Sequence, residues 1–422
     1  ESNITVCLSD SSLDGLEKKC ARVKELYDDM KGFTDDVVMY PAKDLIFFSA
    51  DVHGSYILQQ RLEFIQKVVE NKPFTVIVTV DAFLDKIQPL EKIKDNYIEI
   101  GEGSIVEMDA LKTKLAVMGY QAVTQIDSPG QFAIRGSILD IYTLTDETPY
   151  RIDFWDDEVD IIKSFDVESQ RSIENIESVK IYPASEYFLD KKTIEDGIAK
   201  IKKELEKSEK KFREEFNTEE ANNLKNTVGE FLTNMDINPY SVAIDSYVNY
   251  FCENLVSLMD YFDEPIFFID EPARVEEQLR VVETEFKESM SHRLLKGYVL
   301  SGQTDILWDK NYILNRINDQ QKVLFTTIAQ KVKGFNVEEF VDVDARNISP
   351  YNSQFEMLVE DLKKYKKQKY SVLLVTSSAT RGKRLAQDLR DFQISAFFES
   401  DSEREVQPGQ VMIVKGSLRK GF

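Results

Sequence analysis

The chain has 422 residues, of which 42% are hydrophobic and 30% charged, with 75 acidic against 53 basic side chains and a formal net charge of −22. That length exceeds one ordinary core and indicates roughly two to four domains of globular composition. The charge argues against nucleic-acid binding by the chain as a whole, which needs Lys and Arg to neutralise phosphates, although a local basic patch stays open.

In chain order, Asn3–Leu8 reads as a short β-branched strand. A helix follows with Leu16, Cys20, Val23, Tyr27 and Met30 on one face. Val37–Tyr40 is a second apolar run, stopped by Pro41. Ser55–Val69 has helical periodicity, and Phe74–Val80 is nearly continuous in apolar residues, as strands of parallel sheets buried on both faces are. This opening predicts half of a doubly wound α/β sheet.

The texture then changes. After a helix around Met108–Met118, the stretches Gln131–Tyr142, Pro149–Trp155 and Val159–Phe165 alternate with a period of two, the mark of an antiparallel meander with one wet face. Residues 96–182 are therefore expected to form a β-rich domain inserted between 1–95 and 183–340 of the α/β domain. From Lys191 to Met235, Lys and Glu at helical spacing predict a solvated helical hairpin with internal ion pairs. Ile266–Ile269 returns to strand, then a helix turns Val275, Leu279, Val282 and Phe286 inward. Gly297–Leu300 and Val323–Thr327 are further predicted strands. A small, separate α/β domain is expected over 341–422. It holds a helix opened by a Ser353/Glu356 capping box, a buried strand Tyr370–Val375, a helix Thr380–Phe392, and strands Ile394–Phe398 and Val411–Val414. The start at Glu1 rather than Met and the stop at Gly421-Phe422 predict a piece of a longer protein.

No apolar run approaches the roughly 20 residues that cross a bilayer, and no signal peptide opens the chain. Cys7, Cys20 and Cys252 show no CxxC spacing, which suits a reducing cytoplasm. The two histidines, His53 in a loop-like stretch and His292, support neither a Cys/His zinc site nor a Ser-His-Asp triad. The expectation is a cytoplasmic chain without cofactor or metal.

Three motifs bear on chemistry. Phe267-Phe268-Ile269-Asp270-Glu271 has the form of a Walker B, an apolar strand ending in two carboxylates, but Asp270 also fits a plain N-cap with Pro272 in the first turn. A phosphate loop, GxxxxGK[ST], would have to accompany it, because backbone N–H groups and a Lys cradle the phosphates. The sequence has none. Ser377-Ser378-Ala379-Thr380-Arg381-Gly382-Lys383-Arg384 comes nearest, and Ser9-Asp10-Ser11-Ser12 occupies the place after the first strand without glycine or lysine. Catalysis of ATP hydrolysis is therefore not expected. Third, in Tyr150-Arg151-Ile152-Asp153-Phe154-Trp155 alternation puts Arg151 and Trp155 side by side on the face away from the core, with Arg135 in a neighbouring strand. Arg and Trp dominate binding hot spots. Equally, Arg135 and Arg151 would serve as plain salt-bridge partners of Asp140, Asp153 or Asp157.

Residues 129–142, 149–160 and 165–172, together with Tyr40-Pro-Ala-Lys-Asp44, the Gln60-Arg61 helix and Ile269-Asp-Glu-Pro-Ala-Arg274, resemble the bacterial transcription-repair coupling factors. The match is densest between 129 and 172 and weakest in the first 30 residues. The resemblance implies a degenerate helicase-like (RecA-like) domain related to UvrB, without an ATP site. It implies that the inserted β domain binds UvrA and recruits it to stalled RNA polymerase. By motif position the UvrA contact would run through Arg135, Arg151 and Trp155, the last where Phe is usual. It further implies that the intact protein covers this surface with its own C-terminal domain, and that RNA polymerase and DNA are engaged only through parts beyond Phe422. The alternative is a UvrB- or helicase-like ATPase using Asp270 and Glu271 on damaged DNA.

Overall fold

The structure, a computed structural model, describes residues 4–9, 21–43, 53–94, 96–328, 332–344, 348, 351, 354–400 and 404–416. Readings that fall on Leu16, Cys20, Asp10 to Ser12, Asp44, Ser353 and Gly421-Phe422 lie outside the described residues. The chain separates into two compact units, residues 1–23 with 38–336 and residues 24–37 with 337–422.

The larger unit is mixed α/β. Strand β1 (Ile4–Ser9) is followed in sequence by α1 (Ala21–Lys31), most of which belongs to the smaller unit, and then by β2 (Val37–Tyr40), α2 (His53–Glu70) and β3 (Phe74–Thr79) of the larger one. His53, read as a loop residue, begins α2. The chain then leaves this layer at β4 (Ile98–Gly101), followed by α3 (Met108–Val117). Next come β5 (Gln121–Ala122), β6 (Gln131–Arg135), β7 (Ile138–Tyr142), β8 (Tyr150–Trp155), β9 (Glu158–Phe165), β10 (Ser172–Ile176) and β11 (Ser178–Ile181). Helices α4 (Lys191–Glu214) and α5 (Thr218–Ile237) form the lysine- and glutamate-rich hairpin, with Lys191–Glu195, Glu209–Arg213 and Lys210–Glu214 paired one turn apart. Strand β12 (Ile266–Asp270), α6 (Pro272–Leu295), α7 (Lys310–Asn318) and β13 (Gln321–Phe325) complete the unit.

Five strands make one layer in the order β13-β12-β1-β3-β2, and the three pairings β13–β12, β12–β1 and β1–β3 are parallel. Parallel neighbours need crossovers, which α2 and α6 supply, and burial on both faces explains the nearly continuous apolar run of β3. The core of this layer includes Val6, Phe64, Val76, Val78, Phe83, Phe267, Ile269 and Val275. Gly297–Leu300, expected as a strand, is instead a turn after α6. Gly297 there has φ +71°, and an added Cβ would meet the Glu220 carbonyl oxygen at 2.1 Å, so only glycine closes it.

The second sheet has the order β10-β9-β8-β7-β6-β5 and is antiparallel from β6 to β10. Beneath it, β4 pairs antiparallel with β11, so the two ends of the segment are stitched together. Gln131–Tyr142, whose alternation reads as one strand, is a hairpin. Gly136 at φ +62° turns the chain in two residues, leaving Arg135 opposite Ile138. One face buries Phe132, Leu139, Ile141, Ile152, Phe154 and Ile162 against α3 residues Leu111 and Leu115.

The smaller unit contains α8 (Phe355–Lys367), β14 (Val372–Thr376), α9 (Ala379–Asp391), β15 (Ala396–Phe398) and β16 (Val411–Lys415), with a parallel sheet ordered β14-β16-β15. Its core is Val359, Leu362, Ala386, Leu389, Ile394, Ala396, Val411 and Ile413. The strand expected to be buried, β14, is half-exposed because only one of its faces is covered: Leu373 points outward. Among the described residues no helix is long and apolar enough to cross a membrane.

Candidate protein-docking face

Residues opposite one another in an antiparallel pair share a face. On the face away from the β-sheet's main core, one row therefore runs Ala133, Asp140, Arg151, Lys163 across β6 to β9, and the next runs Arg135, Ile138, Asp153, Ile161. Asp140 sits in the middle strand and is completely buried. Its carboxylate is the hub. Arg151 donates from Nε to Oδ1 at 2.6 Å and from one terminal nitrogen to Oδ2 at 2.9 Å, while Arg135 donates to Oδ2 as well.

Two guanidiniums on one carboxylate leave a net charge of +1. The two arginines are not equivalent. The Arg151 side chain is 19% exposed and its guanidinium lies over the Phe165 ring at 4.4 Å; Gln170 Oε1 accepts from it at 3.1 Å. Hydrogen bonding to Asp140 raises its pKa further, despite partial burial. The Arg135 side chain is 44% exposed and is held by Asp140 alone among the hydrogen bonds and ion pairs of the described residues. A small second cluster of Ile126, Ala133 and Phe165 lies under this pair. The salt-bridge reading is thus realised with Asp140, and not with Asp153, which pairs with Lys163 at 3.7 Å.

Alternation along β8 puts Trp155 on the same face, but not side by side with Arg151. It lies four residues on, about 13 Å between Cα atoms at the usual strand rise, with Asp153 between them. Trp155 ends β8 at the tip of the hairpin to β9 and is 80% exposed. It faces Glu158, which is bridged in turn to Ile105, itself 74% exposed. The face therefore offers a cationic edge at Arg135, a braced Arg151 and a bare aromatic tip.

Asp270 and Glu271 lie in the parallel layer, apart from this face. The expected N-cap role of Asp270 is not what forms. Asp270 still pairs with Phe325 as the last residue of β12, and Glu271, in the left-handed region at φ 50°, occupies the N-cap position of α6 before Pro272 without a side-chain capping hydrogen bond. The Glu271 carboxylate accepts from the Thr327 backbone N–H at 3.0 Å and from the Thr327 hydroxyl.

A second polar centre was not anticipated. Arg61 of α2 is fully buried, donating to Glu186 at 2.6 Å, Asp85 at 3.0 Å, the Pro41 carbonyl at 2.8 Å and the Tyr40 hydroxyl at 2.6 Å. Lys43 adds ion pairs to Glu186 and Asp245. Burial pushes the Asp85 carboxyl up to about 6 even though Arg61 and Lys43 oppose it. For Glu186 burial acts in the same direction, but the two cations win and its pKa is lowered. The signal was present in the sequence: Arg61 falls between Leu58, Leu62 and Ile65 on the apolar stripe of α2, where a charge needs a buried partner. Among the described residues no cluster of three His, Cys, Asp or Glu is placed to hold a metal ion.

Residues 98–187 match the family model described as the UvrB interaction domain. The chain is 29% identical over 411 residues to the transcription-repair-coupling factor of Bacillus subtilis, covering 95% of this chain and 34% of that protein. It is 26% identical over 397 residues to the transcription-repair-coupling factor of Staphylococcus epidermidis, with 93% and 33% covered, and 24% identical over 401 residues to that of Staphylococcus aureus, with 94% and 34% covered. The chain spans about one third of the length of the curated relatives it matches.

Proposed function

We propose that this chain, similar over nearly all of its length to the transcription-repair-coupling factors, works without catalysis as an adaptor that docks UvrA on its β-sheet face. The observation that carries the reading is the shared carboxylate. A buried Asp140 spends its single charge on two guanidiniums, so a positive charge is left over at a fixed place on an exposed sheet face. A surface built only for stability has no use for the second arginine. Arg151 gives a pre-organised donor, Arg135 an accessible cation and Trp155 a large aromatic surface, the residue types that concentrate binding energy.

The parallel layer, on this reading, is a degenerate helicase-like scaffold. Its sequence lacks a phosphate loop, and Glu271, which would position water in an NTPase, is engaged by Thr327. Residues 96–182 are the docking domain, 1–95 and 183–340 the scaffold that carries it, and 341–422 a separate domain. In the intact protein, docking couples UvrA to stalled RNA polymerase held by other parts, and a C-terminal domain covers the face until it is needed.

The test is calorimetry of the chain with UvrA. Wild type binds and Arg135→Ala, Arg151→Ala and Trp155→Ala each weaken binding, while ATP gives no saturable heat. Undiminished UvrA binding by all three folded variants would refute the docking face, and saturable ATP binding would refute the scaffold reading.

A further inference from the structure

Part of the smaller unit departs from the charge of the rest of the chain. Residues 354–416 hold 11 Lys and Arg against 9 Asp and Glu, in a chain with 53 against 75 overall. The excess is concentrated: Lys363, Lys364, Lys366, Lys367 and Lys369 fill five of seven consecutive positions at the C-terminal end of α8. The four within the helix span only about 6 Å along its axis, and Lys369, at φ 62°, follows just beyond its end. Lys363 and Lys367 stand at i,i+4, and Lys363–Lys366 and Lys364–Lys367 at i,i+3, spacings at which like charges destabilise a helix. Among the described residues none of the five forms an ion pair; Lys366 donates from Nζ to Ser395 Oγ at 3.4 Å. Arg390, which donates to the adjacent Ala396 carbonyl at 3.4 Å, borders the same patch. The attraction of cations to a helix C-terminus favours the last turn, worth well under 1 kcal/mol or so per charge, and does not account for a run this dense.

We infer that this lysine patch is a sequence-independent docking site for the phosphate backbone of duplex DNA. Lysine ammonium groups on flexible stems suit phosphates as point charges, whereas planar recognition of protein carboxylates favours arginine, of which the patch has one. A protein interface would also need an apolar centre. The run itself offers only the half-buried Tyr365, in edge contact at 5.7 Å with the exposed Tyr370 that follows it. A membrane surface would need the apolar side of α8, but Val359 and Leu362 are already buried in the unit's core.

The experiment is fluorescence anisotropy of a short labelled duplex titrated with the intact chain over a series of salt concentrations. Wild type is compared with a Lys363→Gln/Lys364→Gln/Lys367→Gln/Lys369→Gln variant; all four side chains are exposed, and circular dichroism checks the fold. Wild type is expected to bind at low salt, and the variant to bind at least about tenfold more weakly, its salt slope smaller by about 3 to 4, since each phosphate contact contributes roughly 0.9. Arg151→Ala should bind DNA as wild type does, which separates this site from the UvrA-docking face. No binding by wild type, an unchanged affinity in the quadruple variant, or stronger binding to poly-glutamate or anionic vesicles at matched charge would each overturn the proposal.

Discussion

Asp140→Asn isolates the logic of the shared carboxylate, because Asp140 is completely buried and can touch no partner itself. The substitution keeps the shape and one acceptor oxygen but turns an NH₂ donor toward two guanidiniums. Arg151 loses one of its two charge-assisted bonds, at 2.6 and 2.9 Å, and Arg135 loses its counter-charge. A hydrogen bond to a charged group is worth about 1.5–3 kcal/mol, and the two guanidiniums, 19% and 44% exposed, keep partial hydration, so stability should fall by about 1.5–3 kcal/mol. Freed from its brace, Arg151 must be re-ordered on docking, at roughly 0.5–1.5 kcal/mol, which weakens UvrA binding by up to about tenfold. Urea unfolding reads the first quantity and calorimetry with UvrA the second. A folded Asp140→Asn variant with wild-type stability would refute the hub, and one with lowered stability but wild-type affinity would refute pre-organisation of Arg151.

Other consequences are as direct. Trp155→Ala should leave the unfolding midpoint within about 0.5 kcal/mol of wild type, since the ring is 80% exposed, while cutting UvrA affinity in the same calorimetric assay. Arg61→Leu should lower stability by about 3–5 kcal/mol in urea unfolding, because Glu186 and Asp85 keep their buried charges without the guanidinium between them. Asp85 has a folded pKa of about 6, above the ordinary carboxylate value, so the native state binds the proton more tightly and this group's contribution to stability is lost as pH rises from about 4 to 6. Unfolding measured across that window should therefore show a less negative slope for Asp85→Asn than for wild type. Gly197→Ala should destabilise by about 1–3 kcal/mol, as an added Cβ would lie 2.2 Å from Phe251, readable as a lowered thermal midpoint.

Much of this fold was legible in periodicity. The nearly continuous apolar run of β3 and the alternation of β8 and β9 gave the two kinds of sheet because a buried parallel strand and a half-wet antiparallel strand bury different fractions of their residues. What periodicity could not give was punctuation. One glycine, Gly136, made a hairpin of a stretch that alternates straight through it, and Gly297 made a turn of a short apolar run. The site was half legible. Alternation put Arg151 and Trp155 on one face, but a period of two says nothing about the distance along it. Nor does pattern reveal that Asp140, in another strand, collects both arginines, since that depends on register across three strands. The buried centre at Arg61 joins residues 40, 61, 85 and 186, and only the crossovers of the fold bring those together.

The central claim is that a pre-organised arginine pair on the β-sheet face docks UvrA. The dissociation constant of the chain with UvrA, wild type against Arg151→Ala, tests it most directly. Arg151→Ala should lose on the order of 2 kcal/mol of binding, about thirtyfold, with the fold intact. An unchanged dissociation constant for the folded variant would contradict it.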